Sequence, residues 1–150
     1  MIIDIEKGNL RILVTGGAGF IGGCLVRRLL KTTNAKVFNL DKISYASDLS
    51  GIRESPNIYR HTLIKVDLKD YQKTFKAVKE ADPDIIFHLA AESHVDRSIE
   101  NAEPFLQSNI VGTFNILESA RKHWDNMDHS RKKGFRFLHI STDEVFGSLG

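Results

Sequence analysis

Residues 141–144 read Ser-Thr-Asp-Glu and follow the apolar run Phe137 to Ile140, so a hydroxyl and two carboxyl groups stand where a buried strand should meet solvent. Two carboxyl groups in opposite protonation states can drive an elimination. One protonates a poor leaving group while the other removes a carbon-bound proton. The same residues could instead be exposed loop charges, with Thr142 capping a helix. Extended backbone would point Thr142 and Glu144 to one face and Asp143 to the other, so the chain must leave strand geometry if all three are to reach one substrate. Gly147 shortly after fits such a turn.

A second group of residues could bind phosphate. Residues 15–22 read T-G-G-A-G-F-I-G, which holds both G-x-G-x-x-G (Gly17, Gly19, Gly22) and T-G-x-x-G-x-x-G (Thr15, Gly16, Gly19, Gly22). Glycine lets the chain turn sharply and lets backbone amides approach a pyrophosphate, and the helix that follows presents free N–H groups to it. The pattern alone is weak, but here it sits between a predicted strand and a predicted helix. A second predicted strand then ends at Asp41, nineteen residues after Gly22. A carboxylate there can accept hydrogen bonds from ribose hydroxyls and repel a 2′-phosphate, favouring NAD over NADP. Lys42 could partly offset that repulsion. Asp67 and Leu89-Ala90-Ala91 fall at the ends of later predicted strands, on the edge where open α/β sheets bind ligands. Asp67 could equally be a structural cap.

The elements that must position these residues alternate along the chain. Strands are expected over Leu10–Val14, Lys36–Leu40, Ile58–Val66, Ile85–Leu89 and Phe135–Ser141. Between them, Ile21, Leu25, Val26, Leu29 and Leu30 form one apolar stripe of a helix over Phe20–Lys31, and Leu68, Tyr71, Phe75 and Val78 mark a helix over Asp70–Glu80. The longest helix should run from Pro104 to Trp124, with Phe105, Ile110, Phe114 and Leu117 facing inward and Trp124 as an anchor at its end. Asp125–Gly134 reads as a polar loop whose basic run Arg131-Lys132-Lys133 is solvated. The pattern is that of an α/β fold, a Rossmann-type doubly wound parallel sheet of order 3-2-1-4-5 in one domain.

Composition narrows the function classes. The 21 basic and 19 acidic residues nearly cancel, which gives no reason to invoke nucleic acid. No apolar run is long enough for a membrane span, and the single cysteine, Cys24, is read as a packing residue of the first helix in a reducing cytoplasm. His88, His94 and Asp96 match no common zinc spacing, so no metal is expected. His94, Asp96 and Ser98 are read as cleft wall or helix cap.

Taken together, T-G-G-A-G-F-I-G, H-L-A-A-E-S-H-V-D-R-S, N-I-V-G-T-F-N-I-L-E and H-I-S-T-D-E-V-F-G resemble the extended short-chain dehydrogenase/reductase superfamily. Within it the chain, from Leu10 onward, is most similar to the dTDP-glucose 4,6-dehydratases of deoxysugar (dTDP-rhamnose) synthesis. The resemblance implies a lyase that uses tightly held NAD to convert dTDP-glucose to dTDP-4-keto-6-deoxy-glucose. It implies that Thr142 hydrogen-bonds the sugar 4-hydroxyl, Asp143 protonates the departing C6 hydroxyl and Glu144 removes the C5 proton. It also implies that NAD is lined by Gly16, Gly19, Phe20, Ile21, Gly22, Asp41, Lys42, Ile43, Ser44, Asp67, Leu68, Leu89, Ala90, Ala91 and Ser93. Ser93 would also approach the sugar, and Ser108 would stand in for a cofactor-contacting threonine. Relatives are homodimers that pair through a four-helix bundle to which the Pro104–Trp124 helix contributes.

Besides Ser108, the sequence departs from the family in its oxidation machinery. Family members take the 4-hydroxyl proton with a Tyr-x-x-x-Lys pair on the helix after the fifth strand, whereas none of Tyr45, Tyr59 and Tyr71 has a lysine four residues on. The expectation is that residues 1–150 are an incomplete NAD-binding domain, without the last strands and the C-terminal nucleotide-sugar domain, and inactive alone. A 4-epimerase or decarboxylase would share the cofactor half without needing the acidic pair. A non-catalytic NAD-binding module is the alternative from another class.

Overall fold

The computed structural model describes residues 9–142, 145 and 147. Five strands alternate with helices: β1 (Arg11–Thr15), α1 (Phe20–Thr32), β2 (Lys36–Asp41), α2 (Ser50–Arg53), β3 (His61–Lys65), α3 (Tyr71–Ala81), β4 (Ile85–His88) and α4 (Val95–Glu100). There follow α5 (Glu103–Phe105), a π-helical stretch over Leu106–Gly112, α6 (Thr113–Asn126), α7 (His129–Gly134) and β5 (Arg136–His139). All pairings are parallel, in the order β3-β2-β1-β4-β5, so the sheet is the doubly wound one that the alternation implies. Register places Thr15 opposite Leu40 and His88, and Asp41 opposite Lys65. The carboxyl ends of the strands thus share one edge.

Parallel strands are covered on both faces, and alternation along β1 assigns the layers. Ile12 and Val14 pack with Val26, Leu29 and Leu30 of α1, while Leu13 packs with Val78 of α3 and with Ile116 and Ala120 of α6. Each fully buried side chain of this kind contributes about 1.5–3 kcal/mol.

Four expectations are corrected. β3 starts at His61, because a short 3₁₀ turn over Ile58–Arg60 aims the Arg60 guanidinium at the carbonyls of Leu30, Thr33 and Ala35, 2.6–2.9 Å away. Those carbonyls belong to the end of α1 and the segment after it, and a cation is favourable there. The 125–134 segment contains α7, whose N-cap Asp128 accepts from the N–H groups of Ser130 and Arg131. Arg131 is not solvated but bridges Asp82 and Asp84 at 2.8–3.1 Å. Cys24 is exposed.

The fourth correction concerns the long helix. Its inward side carries Gly112, Asn115, Ile116, Ser119 and Ala120, whereas Ile110, Phe114 and Leu117 are exposed. Polar residues face inward because partners await them: the Asn115 amide donates to the carbonyls of Leu68 and Lys69, and the Ser119 hydroxyl donates to Asn115 O. A buried amide so satisfied costs little, and the apolar spacing alone could not reveal it. Trp124 does act as an anchor, donating from Nε1 to Lys132 O at 3.2 Å and so tying α6 to α7.

Candidate functional site at the carboxyl edge of the sheet

The turn after β1 is shaped by close backbone approach. Gly16 has φ +70°, and a Cβ there would lie 2.7 Å from Ala90 Cα. At Gly22 a Cβ would lie 2.1 Å from Gly16 O, so any side chain would push α1 off the turn. Gly19 is the N-cap of α1, and no side chain caps that terminus, leaving the first N–H groups available to an anion. Phe20 and Ile21, the next two residues, are exposed beside it. Under the turn, the fully buried Asn39 presents amide atoms that have no partner among the described residues.

Asp41, at the end of β2, reaches the same turn. Its carboxylate accepts from Ala18 N–H at 3.0 Å and from Ile43 N–H at 2.8 Å, and it is only 8% exposed. The second bond holds Ile43 at φ +56°, a left-handed conformation unusual for a β-branched residue. Ser44 N–H then donates to Ser47 Oγ, and Asp48 N–H donates to Ala18 O, so the segment after β2 lies on the glycine turn. Ser47 Oγ also donates to Asp41 Oδ1 at 3.4 Å, so of a carboxylate's about four acceptor sites one stays open to a ribose hydroxyl, and a second opens if Ser47 turns away.

Beyond β4 the chain is pinned to β1. Leu89 N–H donates to Thr15 O at 3.2 Å and Ala90 N–H donates to Thr15 Oγ1 at 3.3 Å. Thr15 Oγ1 also lies 2.6 Å from His88 Nδ1, while His88 Nε2 lies 3.1 Å from Thr113 Oγ1 on α6. Burial, and then the nearby His139, push the His88 pKa down to about 4. A neutral imidazole that accepts from Thr15 and donates to Thr113 satisfies every atom of this chain. It fixes the Leu89–Ala90 backbone against Gly16.

Farther along, Glu92 exchanges two backbone bonds with the Asn109 side chain, at 2.8 and 2.9 Å, and its carboxylate pairs with the Lys42 ammonium. Asn109 lies in the π-helical stretch, a feature that often re-aims side chains at functional sites. Ala91 and Ser93 are exposed on this segment. Lys42, Asp67 and Ser108 meet around a cleft of about 190 Å³ that Lys69, Glu103, Pro104 and Gln107 complete. Asp67 accepts from Lys69 N–H at 3.1 Å, and Leu68 is buried, its carbonyl held by Asn115.

The edge therefore brings together Gly16, Gly19, Gly22, Asp41, Leu89 and Ala90 around the end of β1, with Lys42, Asp67 and Ser108 in the adjoining cleft. Ile140 N–H donates to His88 O at 3.0 Å, which holds the chain beside the end of β4 two residues before Thr142, and Val145 N–H donates to Thr142 O at 3.4 Å. The chain has left strand geometry after His139, and Gly147 adopts φ +74°. Asp143 and Glu144 lie outside the described residues. Among the described residues no group of three or more His, Cys, Asp or Glu could hold a metal ion, and no helix is long and apolar enough to cross a membrane. Sequence reasoning missed the supporting roles of His88, Thr113, Asn109 and Asn115. Their signal lay only in polar residues at positions that a periodic reading assigns to strand or helix interior.

Comparison with known proteins places this edge in context. Residues 13–150 match the family described as GDP-mannose 4,6 dehydratase. A probable dTDP-glucose 4,6-dehydratase of Sinorhizobium fredii is 49% identical over 141 residues, 94% of this chain and 40% of that protein. A dTDP-glucose 4,6-dehydratase of Streptomyces venezuelae, solved with NAD and TYD bound, superposes with a TM-score of 0.77 at 36% identity, covering 94% of this chain and 42% of that one. A UDP-Glc/GlcNAc 4-epimerase of Campylobacter jejuni gives 0.76 at 28% identity, over 91% of this chain and 38% of that one. The chain thus spans about 40% of the length of the curated relatives it matches. By the match over residues 13–150, the chain belongs to the GDP-mannose 4,6 dehydratase family.

Proposed function

We propose that this chain is the cofactor-binding part of an NAD-dependent sugar-nucleotide dehydratase acting on dTDP-glucose. The observation that carries the reading is the buried Asp41 carboxylate bonded to the glycine turn at Ala18, with a cradle at Gly16 and Gly22 that no Cβ could share. These residues suit NAD. The α1 N–H groups and Gly19 would hold its pyrophosphate, Asp41 its adenosine ribose diol, and the cleft at Lys42, Asp67 and Ser108 its adenine. Bound NAD supplies a reversible hydride acceptor for the sugar C4 and donor for C6.

Thr142 would hold the 4-hydroxyl. Once C4 is a ketone, the C5 proton is acidified, so Glu144 removes it as base while Asp143 protonates the leaving C6 hydroxyl as acid. Ser93 would reach toward the sugar from the segment after β4. The full conversion also needs a group to take the 4-hydroxyl proton, and the 150 residues contain no Tyr-x-x-x-Lys pair. On this reading residues 1–150 hold NAD and carry the dehydration groups, and the proton of the 4-hydroxyl goes to a group that these residues do not supply as a Tyr-x-x-x-Lys pair. The exposed Leu106, Ile110, Phe114 and Leu117 supply an apolar face for pairing two copies through α6.

The test is incubation of the protein bearing this chain, isolated from its source, with dTDP-glucose. Formation of the 4-keto-6-deoxy product with loss of one water and no net consumption of NAD is the expected result. Retention of the water with inversion at C4 would instead mark an epimerase, and no change to the sugar would leave a cofactor-binding module.

A further inference from the structure

We infer that Glu92 is a specificity-determining residue that sets the preference for NAD over NADP by sequestering Lys42. The inference rests on the proposed NAD site and adds residues that the glycine-acid pattern does not contain. Lys42 directly follows Asp41, so its ammonium is the nearest cation in sequence to the carboxylate proposed to hold the adenosine ribose. A free ammonium there would attract a 2′-phosphate and blunt the discrimination that Asp41 provides. Here it is not free: the Lys42 ammonium pairs with the Glu92 carboxylate, with the two side chains 36% and 17% exposed.

The pair is more than a chance surface contact, because Glu92 is fixed independently. Its N–H donates to Asn109 Oδ1 at 2.8 Å and its carbonyl accepts from Asn109 Nδ2 at 2.9 Å, anchoring it to the π-helical stretch. Lys42 comes directly after β2 and Glu92 from the segment after β4, so the pair spans the strand that carries the glycine turn. With Lys42 neutralised, Asp41 and Glu92 together outnumber it by one negative charge beside the ribose. A dianionic 2′-phosphate meets repulsion there, while an uncharged diol does not.

Calorimetric titration of the purified chain with NAD and with NADP tests this. Glu92→Gln keeps the backbone bonds to Asn109 and frees the ammonium. The ratio of NADP to NAD dissociation constants should fall about tenfold, chiefly through tighter NADP binding, as expected for one partly screened charge. Lys42→Met combined with Glu92→Gln should restore a strong preference for NAD, and Lys42→Glu should widen it. A ratio unmoved by Glu92→Gln, or lowered equally when Lys42 is Met, would overturn the inference while leaving the NAD site intact. Failure of the wild-type chain to bind either nucleotide would overturn the site and the inference together.

Discussion

Asp41 joins two backbone donors to the proposed ribose position, so its removal should act on both stability and binding. Asp41→Ala leaves the Ala18 and Ile43 N–H groups unpaired, which costs about 1–3 kcal/mol. Urea unfolding would show this, and NAD affinity should fall at least tenfold; Asp41→Asn, which keeps an acceptor, should lose less stability. Gly16→Ala forces a Cβ onto Ala90 at φ +70° and should cost more than about 2 kcal/mol. His88 gives the pH dependence. Its pKa of about 4 in the folded chain lies below the ordinary 6.5, so between those values the unfolded chain takes up a proton that the folded chain refuses. Stability from this group is present above pH 6.5 and is lost as pH falls toward 4, by about 2–3 kcal/mol at pH 4.5. His61, lowered by burial, acts in the same direction. Urea midpoints that stay level between pH 7 and pH 4.5 would contradict this, and His88→Gln should flatten the slope. The glycine turn and Asp41 were legible because their spacing falls between a predicted strand and a predicted helix, and a tight turn admits few residue types. Nothing in the spacing showed that His88 would serve the site by holding Thr15 and Thr113.

At the scale of elements, apolar periodicity located the five strands and three principal helices because burial fixes which residues repeat. It mis-set the face of the long helix because it took Ile110, Phe114 and Leu117 for the buried side. The inward side is instead paid for by hydrogen bonds from Asn115 and Ser119, which hydrophobicity does not register. Likewise α7 was hidden by its basic composition, since its docking comes from Arg131 on Asp82 and Asp84. Arg131→Ala should therefore destabilise the chain by about 1.5–3 kcal/mol through lost charge-assisted bonds, although it lies far in sequence from the glycine turn. A thermal melt indistinguishable from wild type would show α7 to be passively attached.

At the scale of the whole molecule, the two apolar layers close around the sheet, but Leu106, Ile110, Phe114, Leu117 and Trp124 stay exposed along one side. A contiguous face of this kind drives association. Sedimentation of the chain should show concentration-dependent self-association, reduced by Ile110→Ser with Phe114→Ser; a monodisperse monomer at all concentrations would contradict it. The catalytic assignment of Thr142, Asp143 and Glu144 rests on the resemblance of the S-T-D-E-V-F-G stretch to the dTDP-glucose 4,6-dehydratases and on the acid and base that such an elimination needs. The central claim is that the carboxyl edge of the sheet binds NAD through the glycine turn and Asp41. Its most direct test is a calorimetric titration of the chain with NAD, beside the same titration of Asp41→Ala. Saturable one-to-one binding that Asp41→Ala weakens at least tenfold is the predicted result; no binding, or binding indifferent to Asp41, would contradict the account.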